Sequence, residues 1–173
     1  MKPVQFSLDL PSFSKIKSLR DSWTWQEIRW GMVHQLVSMA DVISLAAEKL
    51  EENCNHRDVL LELSSEDRYS LVIDRKVDLI CLLEDPEPEE TVRMVWRIVL
   101  LAWLYYTEKN EASLQDKTEL LYEDFDNPED MDALVGLPGG SFAGPRGIRK
   151  ALETYLSENG DLISPQKAAA RRA

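Results

Sequence analysis

Apolar residues recur along this chain mostly at intervals of three and four, so the sequence reads as one amphipathic helix after another. The first stretch carries Trp25, Ile28, Met32 and Leu36; the second carries Val42, Ile43, Leu45, Ala46 and Leu50. Each has a start signal. Thr24 and Glu27 have the spacing of a capping box, in which a hydroxyl and a carboxylate three residues apart satisfy each other's backbone N–H groups, and Ser38 with Asp41 repeats it with a shorter acid. Val59, Leu60, Leu61 and Leu63 form a third pattern that breaks at Ser64 and Ser65 and resumes from Tyr69 to Leu83. One of those two serines is expected to cap the fourth helix.

Asp85, Pro86, Glu87 and Pro88 make the clearest break, because a proline drives the residue before it out of the α region. The helix that follows, over about 88–108, holds Val92, Val95, Trp96, Val99, Leu100, Trp103 and Leu104, and is expected to be the central core helix. Glu87, Glu89 and Glu90 stand at its start, where the helix dipole favours acids, and Glu89 with Arg93 and Glu90 with Arg97 pattern its polar edge. A helix is expected from Ser113 to Phe125. Asn127 as cap and Pro128 as first residue then open a short one that ends at Gly136. A last amphipathic helix carries Ile148, Leu152, Tyr155 and Leu156 and stops at Asn159 and Gly160. Val4, Phe6, Leu8 and Leu10 alternate with other residues, the period of a short edge strand. The expected fold is all-α: a single-domain helical bundle of about six to eight helices over 1–163, with room for that strand, followed by a flexible basic tail over 164–173.

At 173 residues and 44% hydrophobic, the chain can bury a core without disulfides or metals. Cys54 and Cys81 form no C-x-x-C pair and read as reduced thiols of a reducing compartment. The N-terminus has no sustained apolar stretch, so no secretory signal is read there and a cytoplasmic location is expected. The most apolar run, Ile98 to Tyr106, falls short of the roughly 20 residues of a membrane span and reads as a buried helix.

Charge is unevenly spread. The net charge is −11, and residues 41–132 alone carry 25 acids against 9 bases. That sign disfavours nucleic-acid phosphates and anionic membranes and favours a basic protein partner. The densest segment runs from Tyr122 to Asp132, where Glu123, Asp124, Asp126, Glu129, Asp130 and Asp132 surround Phe125. Six carboxylates in so short a stretch need solvent, a cation or basic groups to stay ionised together. Glu84, Asp85, Glu87 and Glu89 form a second acidic patch. Both sets are candidate partner-binding residues.

Catalytic patterns are scarce. His34 and His56 stand outside any H-E-x-x-H or H-x-x-x-H spacing, and no G-x-S-x-G elbow occurs. Gly139 to Gly144 has the two-glycine spacing of a phosphate loop, but Pro145 and Arg146 follow where Lys and Ser or Thr are needed, so it reads as a loop between helices. A calcium loop opening at Asp124 fails, with Pro128 at the fifth position and no glycine at the sixth. No catalytic residue, metal ligand or cofactor is expected. Trp23 and Trp30, seven apart, share one helical side, which leaves room for one of them to anchor an exposed patch.

Three pieces together resemble an uncharacterised family of small bacterial helical proteins, a domain of unknown function. They are Trp25, Glu27, Ile28 and Gly31 followed by Asp41, Val42, Ile43 and Ala46; the Trp103-Leu104-Tyr105 helix; and Tyr122, Asp124, Phe125, Asp126, Pro128 and Glu129. The resemblance spans about residues 23–138. It implies no established activity and no catalytic residues, and it suggests an accessory protein near bacterial toxin systems with an immunity role. The expected function is therefore an acidic protein-binding module, with an immunity protein that occludes a basic toxin domain, such as a nuclease, as the leading case. A helical adaptor or regulator without catalysis and a small metal-dependent hydrolase are the alternatives.

Overall fold

A computed structural model describes residues 4–51, 56–135 and 145–164. The chain builds α1 (Phe13–Ile16) with a 3₁₀ turn at Lys17–Leu19, α2 (Trp25–Val33), α3 (Met39–Glu51), α4 (Arg57–Ser64), α5 (Ile73–Leu83), α6 (Glu89–Thr107) and α7 (Glu111–Asp124). A 3₁₀ turn at Glu129–Met131, α8 (Asp132–Val135) and α9 (Pro145–Glu158) complete it. The fold is all-helical, with no strand among the described residues.

The central position of α6 follows from its sequence. It buries Val92, Val95 and every residue from Trp96 to Ala102, so its apolar surface runs almost all the way round and only an interior site satisfies it. α2 lies against one side, backed by α5, and α3 pairs with α4 beyond; α7 and α9 cover the other side, with α8 beneath them. No helix among the described residues is long and apolar enough to cross a membrane. Trp23, Trp30 and Trp96 meet in the middle, Trp30 stacking on Phe125 at 6.1 Å and Trp23 lying tilted against Trp96 at 4.8 Å. Trp23 and Trp30 are both buried, so neither anchors an exposed patch: Trp23 lies before α2 rather than on it, and both indoles are needed to fill the core.

Both capping boxes form. Thr24 Oγ1 accepts from Glu27 N–H at 3.2 Å while Glu27 accepts from Thr24 N–H at 2.9 Å. Ser38 and Asp41 make the same reciprocal pair at 3.2 and 3.0 Å, the shorter acid sufficing. α2 stops at Val33, earlier than the periodicity suggests. Gln35 turns left-handed (φ 61°) and the N–H of Leu36 returns to the carbonyl of Gly31 at 2.8 Å, a Schellman turn that still delivers Leu36 to the core.

Two expected features differ. Neither Ser64 nor Ser65 caps the next helix; both hydroxyls donate back to the carbonyl of Leu61, closing α4, and α5 begins at Ile73 without a side-chain cap. Residues 4–10 keep the alternation, with Val4, Phe6, Leu8 and Leu10 packed on the core, but among the described residues no strand pairs with them. Their backbone bonds go to side chains: Val4 N–H donates to Nδ1 of His34 at 2.7 Å and Ser7 N–H to Asp124 at 2.9 Å. The segment is a strap held by two acceptors distant in sequence.

Ser164, at the expected tail boundary, is buried and fastened. Its N–H donates to the carbonyl of Leu19 and its hydroxyl to Asp21, both at 2.7 Å.

Candidate functional site

The acidic segment begins where α7 ends. Asp126 N–H returns to the carbonyl of Glu123 and Asn127 N–H to that of Tyr122, at 3.0 and 2.9 Å, and both residues are left-handed (φ 64° and 55°). Asn127 is thus part of the turn that closes α7, not the cap of the following helix; Pro128 takes the cap position of the 3₁₀ turn. The reversal carries the segment back across α6.

There the carboxylates meet two arginines. Arg93 donates to Asp126 at 2.7 Å and to the carbonyl of Phe125 at 2.9 Å. Arg97, buried on α6, donates to Asp130 at 2.8 Å, stands 3.4 Å from Glu90 and lies over the Phe125 ring at 5.9 Å. Asp130 also accepts from the Tyr155 hydroxyl on α9, and burial together with that carboxylate holds the phenol well above its usual range. Asp132 accepts from Tyr122 at 2.9 Å, and Asp124 takes both the N–H and the hydroxyl of Ser7 at 2.9 Å. Four of the six acids therefore anchor the strap, α7, α9 and their own turn. Glu123 and Glu129 are exposed and make no side-chain hydrogen bond or ion pair among the described residues.

The second patch divides in the same way. Glu84 accepts from Trp25 N–H at 3.0 Å and Glu87 from the Thr24 hydroxyl at 3.2 Å, so both serve the open N-terminus of α2. Gln26 joins them, donating to the carbonyl of Asp85 at 2.6 Å and accepting from Glu87 N–H at 2.8 Å. Glu27 completes the cluster, 1% exposed, its carboxyl raised by burial and held back by the Thr24 N–H and by Arg20 at 2.8 Å. Burial raises the Glu84 carboxyl as well. Asp85 and Glu89 remain exposed.

The two patches, some forty residues apart in sequence, adjoin at the N-terminal end of α6. Glu89 and Glu90 open that helix, and Arg93, 3.9 Å from Glu90, reaches across to Asp126. Glu90, Asp126 and Asp130 pair with Arg93 and Arg97, and Glu89, Glu123 and Glu129 stand exposed in the same two segments, so acids exceed bases even after every ion pair is formed. The arginines could be read as a polar edge from their spacing; that Arg97 would be buried under the acidic turn could not, because Asp130 lies 33 residues away.

Other chemistry-bearing groups are structural. His34 is buried against Trp30, and burial with Arg93 nearby lowers its pKa to about 4, so at neutral pH it is an uncharged acceptor for the strap. Cys81 is a free thiol whose pKa burial and the neighbouring Glu84 and Asp78 push up to about 12, which suppresses the reactive thiolate. Among the described residues no group of three or more His, Cys, Asp or Glu is placed to hold a metal ion. Cys54 and the glycine-rich stretch 139–144 lie outside the described residues.

The chain is an all-helical protein whose best-defined surface is a carboxylate field over two arginines, Arg97 buried and Arg93 partly so. It belongs to the family DUF2247, described as uncharacterized proteins conserved in bacteria, whose pattern matches residues 13–159. No curated protein and no solved structure matches it. The residues that carry the family likeness now have physical roles: Glu27 and Asp41 close capping boxes, Gly31 admits Trp96, Asp124 holds the strap, and Asp126 holds Arg93.

Proposed function

We propose that this chain is a non-catalytic protein-binding module that receives a basic partner on the acidic surface at the N-terminal end of α6, with an immunity protein that occludes a basic bacterial toxin domain as the leading case. The adjoining of the 84–90 and 123–132 segments carries this reading: two separate acidic stretches fold into one field whose internal cations leave it negative. A nuclease-type toxin presents a basic substrate groove, and such a field both fills that groove and speeds encounter. Glu89, Glu123 and Glu129 contact the partner, because they are exposed and not engaged in holding the fold. Asp126 and Asp130 act chiefly as anchors.

The test is affinity capture from a native bacterial lysate at low and high salt, with wild-type bait and a Glu89→Gln, Glu123→Gln, Glu129→Gln variant. A basic protein that is retained by the wild type, released by salt and weakened by the triple variant supports the reading. Equal retention by both baits removes the acidic surface as the interface.

A further inference from the structure

All the exposed large hydrophobic side chains among the described residues fall in one stretch of chain, from Leu61 on α4 through Tyr69, Leu71 and Val72 to Leu79, Leu82 and Leu83 on α5. Leu71 and Leu82 are 92% and 82% exposed. α5 faces the core with Ile73, Val77 and Ile80. On its other side Val72, Leu79 and Leu83 line up at intervals of seven and four, with Leu82 beside them. α4 and α5 run antiparallel, since Lys76 near the start of α5 pairs with Glu62 and Glu66 near the end of α4, while Leu83 at the end of α5 lines one cleft with His56 and Leu60 near the start of α4. The leucines are thus gathered on one helical hairpin, and an apolar concentration of this kind marks an interaction surface rather than chance exposure.

We infer that the outer face of the α4–α5 hairpin is a second docking surface, which takes an amphipathic helix of a partner protein bearing an apolar stripe flanked by lysine or arginine. The charge around it selects that occupant. Residues 56–85 hold eight acids against four bases, and Lys76 is spent on Glu62 and Glu66. Glu62, Asp74 and Asp78 remain about half or more exposed even where a cation touches them. Acids so placed around leucines match the cationic flanks of a helix whose apolar stripe covers Leu79 and Leu82. A second copy of the chain brings the same acidic rim and a net charge of −11, so like charges oppose that pairing. Leu83 also lines a cleft of about 360 Å³ with Leu60, Trp25, Lys49, His56, Glu84 and Asp85, where two acids outnumber one lysine at the end of the bound helix. This surface does not rest on the acidic field of α6.

The probe is a fluorescent synthetic helix of leucine and lysine with its leucines at i, i+3, i+4 and i+7, set against a peptide of identical composition whose leucines are scattered. Anisotropy titrations at physiological salt use wild-type protein, a Leu79→Ser, Leu82→Ser variant and the Glu89, Glu123, Glu129 triple glutamine variant. Both leucines are exposed, so the serine variant retains the fold, checked by its thermal unfolding. The striped peptide is expected to bind the wild type at least about ten-fold more tightly than the scattered one, and to lose at least about ten-fold in the serine variant. The triple glutamine variant is expected to bind it as the wild type does. Equal binding of the two peptides, absence of binding, or indifference to the leucine changes overturns the inference. Loss in the glutamine variant alone assigns the peptide to the α6 field instead. A wild-type dimer by light scattering that dissociates in the serine variant gives the face to a second copy and overturns the proposed occupant.

Discussion

A Cβ added to Gly31 would stand 2.4 Å from Cζ2 of Trp96 and 2.6 Å from Cγ2 of Val37, so α2 and α6 approach through space that any side chain would occupy. Gly31→Ala should gain about 1 kcal/mol of helix propensity and lose roughly 1–3 kcal/mol to overpacking against a buried indole. The expected result is a lower urea midpoint with an unchanged slope. A raised midpoint would show that the two helices can separate freely.

Arg97 sits almost without solvent between Asp130, Glu90, Tyr155 and Phe125. Arg97→Met leaves Asp130 and the Tyr155 hydroxyl facing each other without their cation, and should cost about 3 kcal/mol of stability. Arg97→Lys should restore only part of it, because one ammonium cannot span both carboxylates as the guanidinium does. Equal stability of wild type and Arg97→Met in chemical denaturation would remove this network from the list of what holds α6, α9 and the acidic turn together.

The strap should open independently of the bundle. Asp124→Ala deletes both bonds to Ser7 and is expected to raise hydrogen exchange across residues 4–10 by more than it does in α6, with a global loss of about 1–2 kcal/mol. Peptide-resolved exchange measured by mass spectrometry checks this; a uniform rise throughout the chain would mean the strap and core open as one unit.

Acid should weaken the fold through His34. Its folded pKa of about 4 lies below the usual 6.5, so between those values the unfolded chain binds a proton that the folded one refuses. Stability is then full above about 6.5 and declines as the pH falls toward 4, by about 3 kcal/mol over the whole window. The raised carboxyls of Glu27 and Glu84 act in the opposite sense, taking protons in the folded state first as the pH falls. Denaturation of wild type and His34→Gln across that range separates the two: the wild type should lose more stability on acidification, and parallel curves would contradict the assignment.

What could be read from the chain follows from the range of each interaction. The two capping boxes and the break at Asp85 to Pro88 are settled within four residues, and they stand where the spacing places them. The alternation of Val4 to Leu10 reports burial correctly, yet its hydrogen-bonding partners lie 30 and 117 residues away, and no local pattern tells a paired strand from a strap. Ser64 and Ser65 fail for a subtler reason: a serine hydroxyl accepts at the start of a helix and donates at the end of one, and the same two letters serve both. The acidic run was legible as a charge problem. Its solution, two arginines and two tyrosines drawn from α6, α7 and α9, needed the fold.

Ser164 binds the backbone of Leu19, and Arg20 donates to the carbonyl of Leu162 at 3.1 Å while holding the buried Glu27. The start of α2 is thereby finished by residues made some 140 positions later. During synthesis Arg20 can reach Glu27 early, but its bond to the Leu162 carbonyl and the bonds of Ser164 to Leu19 and Asp21 form only once those late residues emerge. A chain interrupted before Leu162 should therefore leave the approach to α2 without its last fastening and expose it longer to misassembly.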